Sequence, residues 1–140
     1  MALKASQIKV GDTHSERVVE NLSRTQIVQY AGASGDYNPL HSDEIYTVQA
    51  AGYPTVFAHG MLTMGLTGKM LTNWAGAGRV VKFGVRFTNQ VWPGDTLDAK
   101  ATIAAIREEG GKRYADMTVS TTNQDGKEVV SGTATAVLDA

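Results

Sequence analysis

Between Tyr30 and Asp43 the chain reads Tyr-Ala-Gly-Ala-Ser-Gly-Asp-Tyr-Asn-Pro-Leu-His-Ser-Asp. A carboxylate (Asp36), a carboxamide (Asn38) and an imidazole (His41) thus fall within one short irregular stretch. Adding water across an activated double bond needs a base that holds the water and an acid that protonates the neighbouring carbon. An aspartate and a histidine converging on one water can supply both. Gly35 and Pro39 suit a loop that fixes two side chains without helical periodicity. The same residues are also good turn chemistry, because Asp and Asn side chains bond nearby backbone groups. Spacing alone therefore leaves a structural reading open, in which Asp36 caps a turn and His41 is a satisfied buried histidine.

Such a loop needs elements around it. The chain has 140 residues, 42% of them hydrophobic, and its length and composition predict one folded domain over residues 1–140. No repeat, linker or low-complexity tract divides it. Thr13 to Glu20 reads as a strand. Ser23-Arg24-Thr25-Gln26 has the spacing of a capping box, and behind it Ile27, Tyr30, Ala31 and Ser34 share a helix face. That helix should stop near Gly32 or Gly35. A short second helix is expected over Asp43–Ala50, capped by Ser42 and ended by Gly52 and Pro54.

A third helix is expected from about Gly60 to Trp74. Met61, Leu62, Met64, Leu66, Met70, Leu71 and Trp74 occupy nearly every side of it, so it should be buried all round. Gly60, Gly65 and Gly68 each cost about 1 kcal/mol of helix propensity relative to alanine. That cost is reasonable where a sheet must approach the helix backbone. Downstream, Val81, Phe83, Val85, Phe87 and Asn89 alternate with polar or small residues, the period of a strand. Further strands are expected over Leu97–Arg107, Tyr114–Thr122 and Val129–Leu138. Turn signals lie at Pro93-Gly94-Asp95, Glu109-Gly110-Gly111-Lys112 and Asn123-Gln124-Asp125-Gly126. Three successive hairpins would give an antiparallel sheet on a buried helix, an α+β architecture.

Composition removes other chemistries. There are no cysteines, so disulfide scaffolds, thiolate metal sites and cysteine nucleophiles are excluded. A net charge of −1 with scattered basic residues gives no footprint for nucleic acid or anionic lipid. No apolar run reaches membrane-spanning length, and Met1-Ala2-Leu3-Lys4 does not open like a secretory signal, so a cytoplasmic setting is expected.

The segment from Tyr30 to Asp43 resembles the signature of the MaoC-like (R)-specific enoyl-thioester hydratases: an aromatic residue, then Ser-Gly-Asp-x-Asn-Pro-Leu-His-x-Asp. Ala58-His59-Gly60-Met61-Leu62 is similar to that family's second block, and Val85-Arg86-Phe87 and Pro93-Gly94-Asp95 to its strand region. Within the family, His59 to Gly65 and Val85 to Thr88 resemble the catalytic subunit of actinobacterial (3R)-hydroxyacyl-acyl-carrier-protein dehydratases. The resemblance implies a hot-dog fold, an antiparallel sheet wrapped around a long central helix. It implies reversible hydration of a trans-2-enoyl thioester of coenzyme A or acyl carrier protein (ACP). It also implies a homodimer, or a heterodimer with a related subunit, and no metal or redox cofactor.

Carried over, Asp36 and His41 would hold and activate water, and Asn38 would brace their loop. Gly60 would offer its backbone N–H to the thioester carbonyl, a role that suits the exposed donors of a helix start. His59 and Met61, on either side of it, would border the substrate. Some relatives carry a serine one or two turns beyond this glycine; here the stretch holds Gly65, Thr67 and Gly68 instead. His59 can also be read as an anchor for the helix start, and His14 as a surface residue of an edge strand. A metal site from His41, His59 and Asp36 or Asp43 lacks helical ligand spacing. Met61, Met64 and Met70 read as core or tunnel lining, and Trp74 and Trp92 as packing or channel wall. Two alternative activities remain: a thioesterase on the same fold, and a hydratase of dicarboxylic or steroid-derived thioesters.

Overall fold

Ser23 opens the first helix as its spacing predicts, its Oγ accepting the N–H of Gln26 at 3.0 Å. In the computed structural model, which describes residues 2–140, this helix α1 spans Arg24–Ser34. Of the two predicted stops Gly35 is the one used, because it takes the left-handed conformation (φ 75°) and its N–H closes on the Ala31 carbonyl. Met1, part of the run read for a leader, lies outside the described residues.

The predicted second helix is shorter and tighter at its start. Pro39–His41 forms a 3-10 turn, and Ser42 belongs to it, donating its N–H to the Pro39 carbonyl. The cap is therefore Asp43, not Ser42: Asp43 Oδ1 accepts the N–H of Tyr46 at 3.0 Å. A π-helix then runs over Tyr46–Ala50. Thr47 inside it is fully buried and donates its hydroxyl to the Pro39 carbonyl, so the π-turn backs the loop.

The third helix, α2, spans Gly60–Ala75. Two of its glycines are explained by close approach. A Cβ on Gly60 would stand 3.0 Å from the Phe87 ring, and one on Gly68 would stand 3.3 Å from Phe83; beside Gly65 there is open space. Burial all round is not observed. Met61 is 54% exposed, and Gly65, Lys69, Thr72 and Asn73 continue an open stripe along the helix. Gly60→Ala should lower unfolding stability by about 1 kcal/mol, the overpacking against Phe87 outweighing the helix gain. Gly68→Ala should be nearly neutral. Denaturant titration compares the two.

Five strands occupy the expected segments: β1 (Thr13–Val19), β2 (Val80–Phe87), β3 (Leu97–Glu109), β4 (Lys112–Thr122) and β5 (Glu128–Leu138). Gly110 and Gly111 (φ 59° and 76°) make the two-residue turn that joins β3 to β4. Gly126 (φ 75°) serves the β4–β5 turn. The third expected hairpin does not exist. The sheet order is β1-β3-β4-β5-β2, antiparallel throughout, so β2 pairs with β5 while β3 pairs with β1 and β4. Pro93-Gly94-Asp95 turns within a crossover instead. Buried Asp95 pins it, accepting from Trp92 N–H and from Gln124 Nε2 at 2.9 Å each.

The concave sheet face meets α2 through small residues. Ala99, Ala101, Ala115, Ala134 and Ala136 leave room for Met70, Leu71 and Ala75, with Ile103, Met117 and Val119 filling between. Alanines opposite bulky helix residues let the two surfaces interlock at crystal-like density. A five-stranded antiparallel sheet curled round a central helix is the hot-dog fold. No helix among the described residues is long and apolar enough to cross a membrane.

Candidate active site

The loop that carries Asp36 leaves α1 at Gly35 and enters the 3-10 turn at Pro39. Its shape is set by its own side chains. Ser34 Oγ accepts the Asp36 N–H, Asp36 Oδ1 accepts the Asn38 N–H at 3.2 Å, and Asn38 Oδ1 accepts the Leu40 N–H at 3.0 Å. Asn38 thus ties into the turn from both sides, while the second carboxylate oxygen of Asp36 makes no hydrogen bond among the described residues.

The segment before α2 then locks onto this loop. Phe57 N–H donates to the Leu40 carbonyl at 3.2 Å. His41 Nδ1 lies 2.6 Å from the Phe57 carbonyl, which can only accept, so Nδ1 carries the proton. Nε2 of His41 is left as a lone-pair base. His41 is half-buried, and burial pushes its pKa below the ordinary histidine value; the nearby His59 adds to this, while the Phe57 and Asp36 contacts oppose it. A second tie is Glu44, which accepts from Arg24 at 2.8 Å, Thr55 at 2.9 Å and the Val56 N–H. Held chiefly by Arg24, its carboxyl falls to about 2. α1, the π-turn and the approach to α2 are joined there.

Asp36, His41 and His59 come together: one ligand-capable atom from each lies within 4.8 Å of the others. The two imidazoles stack with centroids 3.8 Å apart and planes 27° apart. Asp43, the alternative ligand in the sequence reading, is turned away as a helix cap. Gly60 is the first residue of α2, and among the described residues neither its N–H nor that of Met61 finds an acceptor. Two free donors and the positive end of a helix dipole therefore lie directly after His59. Beside Gly60 opens a cavity of about 250 Å³, bordered by Phe57, Ala58, Thr63, Phe87, Val129 and Val130.

The other candidates separate. Met61 belongs to the open stripe of α2 and is not among the residues bordering that cavity. Met70 is core and Trp74 packs on the same core. Trp92 lies edge-on to Phe57. His14 is in an edge strand, as expected, but is half-buried, stacking on Trp74 and bonding Glu16 at 3.0 Å. The sequence reading missed the Phe57 carbonyl, Glu44 and the His59–Asp36 contact. A backbone acceptor has no residue type to betray it, so only the fold reveals the first.

The profile of the MaoC like domain matches residues 6–130. This chain belongs to the MaoC-like domain family. The MaoC-like chain is 33% identical over 135 residues to the (R)-specific enoyl-CoA hydratase of Rhodospirillum rubrum, covering 95% of this chain and 90% of that protein. It is 36% identical over 89 residues to 3-hydroxyacyl-thioester dehydratase Y of Mycobacterium tuberculosis. That match takes in 61% of this chain but only 31% of the mycobacterial protein's length. Among solved structures, R-hydratase PhaJ1 of Pseudomonas aeruginosa superposes with a TM-score of 0.86 at 25% identity, over 99% of this chain and 88% of the other.

Proposed function

We propose that this chain catalyses the reversible addition of water to a trans-2-enoyl thioester, giving the (3R)-hydroxyacyl thioester. The observation that carries the reading is that the Asp36 carboxylate and one imidazole nitrogen each of His41 and His59 lie within 4.8 Å of one another, while His59 runs directly into the helix start whose first N–H groups, at Gly60 and Met61, are unpaired among the described residues. The names of the R. rubrum and M. tuberculosis relatives support it from outside.

Water is held between Asp36 and His41 Nε2 and gives them its proton as its oxygen bonds to the β-carbon. The carbon–carbon π electrons move onto the thioester, and the negative charge that grows on its oxygen meets the Gly60 N–H. That donor strengthens as charge develops, so it favours the transition state over the bound substrate. The captured proton then passes to the α-carbon. Dehydration is the same path reversed. No step needs a cation, and turnover should survive dialysis against a chelator.

The open stripe on α2 and the edge strand β2, with Val81 56% and Phe87 52% exposed, support pairing with a second hot-dog subunit, identical or related. An unpaired edge of this kind is otherwise a liability.

The test is an incubation of the purified chain with trans-2-enoyl thioesters of coenzyme A and of ACP, monitoring enoyl absorbance and free thiol together. Loss of absorbance without thiol release is expected. Thiol release with the enoyl group intact would instead establish a thioesterase.

His41 also fixes the pH response. Its pKa is depressed in the folded chain, so folding keeps it neutral and takes up fewer protons than the unfolded chain does. Its contribution is full above 6.5 and is lost as pH falls through its folded value. The acid limb of kcat/KM should accordingly bend below 6.5, the ordinary histidine value. An inflection clearly above it would contradict the buried neutral base.

A further inference from the structure

His59 reacts with nothing in the scheme above, yet it is the most enclosed titratable group in the niche, 1% exposed. Its Nε2 lies 3.0 Å from the Asp36 backbone carbonyl, which can only accept, so Nε2 carries a proton. Its Nδ1 is sealed from solvent and has no partner among the described residues. A second proton there would be a buried donor without an acceptor, on a charged ring stacked against another imidazole. Both features are costly. The groups facing it are Asp36 from the loop after α1, His41 from the 3-10 turn and Tyr30 from α1, whose ring meets it edge-on at 4.8 Å. Asp43 and Glu44 are spent elsewhere, on the Tyr46 N–H and on Arg24.

An unsatisfied buried nitrogen calls for a reason beyond filling space, since an apolar ring would avoid its cost of roughly 1–3 kcal/mol. The reason lies in the other two contacts. The Nε2–H draws the Asp36 backbone toward the start of α2, and the ring face sets the plane of His41, whose edge is already tied to Phe57. We infer that His59 is a positioning residue: it fixes the Asp36 backbone and the His41 ring plane so that the carboxylate and Nε2 meet the same water. The inference rests on the hydration reading and adds to it a residue that acts only through its neighbours.

Two variants of the full chain separate this from mere packing. His59→Phe keeps a ring to stack but loses the donor; His59→Gln keeps a donor that can reach the Asp36 carbonyl. Misplacing a reacting group by about 1 Å can cost on the order of 100-fold. The Phe variant should therefore lose about 10- to 100-fold in kcat with KM within about threefold, and the Gln variant should recover at least about tenfold of that loss. Tracked by NMR, the His41 Cε1 proton should titrate closer to the ordinary histidine value in the Gln variant, where no ring remains to stack on His41 and water reaches it. A Phe variant with wild-type kcat would overturn the inference, as would equal losses in both variants with the His41 titration unmoved. Should the Phe variant not fold, the Gln variant carries the decision through the NMR midpoint, an unchanged midpoint rejecting the inference. The titration needs no turnover. A wild type that hydrates no thioester would sink the activity, and the titration would still decide on His59.

Discussion

Asp36→Asn and His41→Gln should each lower kcat/KM for enoyl-thioester hydration by at least about 100-fold while leaving thermal unfolding within a few degrees of wild type. General acid or base groups contribute about two to four orders of magnitude. The folded structure gives reasons to expect this loss without collapse. Asn at position 36 keeps the oxygen that accepts the Asn38 N–H, so the turn survives, but it cannot take a proton from water. Gln at position 41 is close to histidine in length and can still donate to the Phe57 carbonyl, yet it offers no basic lone pair where Nε2 stood. The double variant should lose little more than the worse single one, because two groups that share one water act as a unit. Multiplicative losses would mean that the two residues serve separate steps. Unaltered turnover in both single variants would end the mechanism.

The second large effect is on the fold. Gly132→Ala should destabilise the chain by about 3 kcal/mol, at the upper end of overpacking costs, and lower Tm by on the order of 10 °C. Gly132 lies opposite Val85 where β5 pairs with β2. A Cβ placed on it would overlap the Gly84 carbonyl oxygen and come within 2.8 Å of the Val85 Cα. Both obstacles are backbone, so no side chain can swing aside; the strands must part or slip. Gly84→Ala is the control, since its Cβ would enter open space. Differential scanning calorimetry of the two would show a large gap. Equal melting temperatures would mean that β2 docks less tightly than its register implies. The effect should reach the site, because β2 delivers Phe87 against Gly60.

Local chemistry was readable where it is local. Ser23, Gly35 and the Gly110-Gly111 pair announce a cap, a stop and a tight turn through their own backbone preferences, and the structure uses each of them. The strands were legible from alternation for the same reason. Their order was not. Pro93-Gly94-Asp95 is a genuine turn, but a turn does not state which strands become neighbours, and here it sits inside a crossover fixed by Asp95. The apolar helix was misread in a useful way. Its composition predicts burial all round, whereas Met61 and its stripe are open. Hydropathy reports what a surface prefers to contact, and a single chain need not provide the contact.

At the site, Asp36, Asn38 and His41 were legible together because they share a loop. The pairing of His59 with Asp36 spans 23 residues, and that of His41 with Phe57 spans 16. Contacts of that range depend on how α2 docks, and no spacing rule encodes them. The loop's cap was displaced by one residue, from Ser42 to Asp43, because the 3-10 turn consumed Ser42 first.

The His41 imidazole is held through a main-chain oxygen, and that frees its hydrogen bond from the residue type at position 57. Phe57 orients His41 with its carbonyl, borders the cavity beside Gly60, and sets its ring edge-on to the imidazole at 5.3 Å. A substitution at position 57 can therefore reshape what the cavity admits and leave the atom that steers the imidazole in place. Drift or design at this position can alter the cavity's border and one packing contact of the imidazole while the hydrogen bond that sets its tautomer is kept.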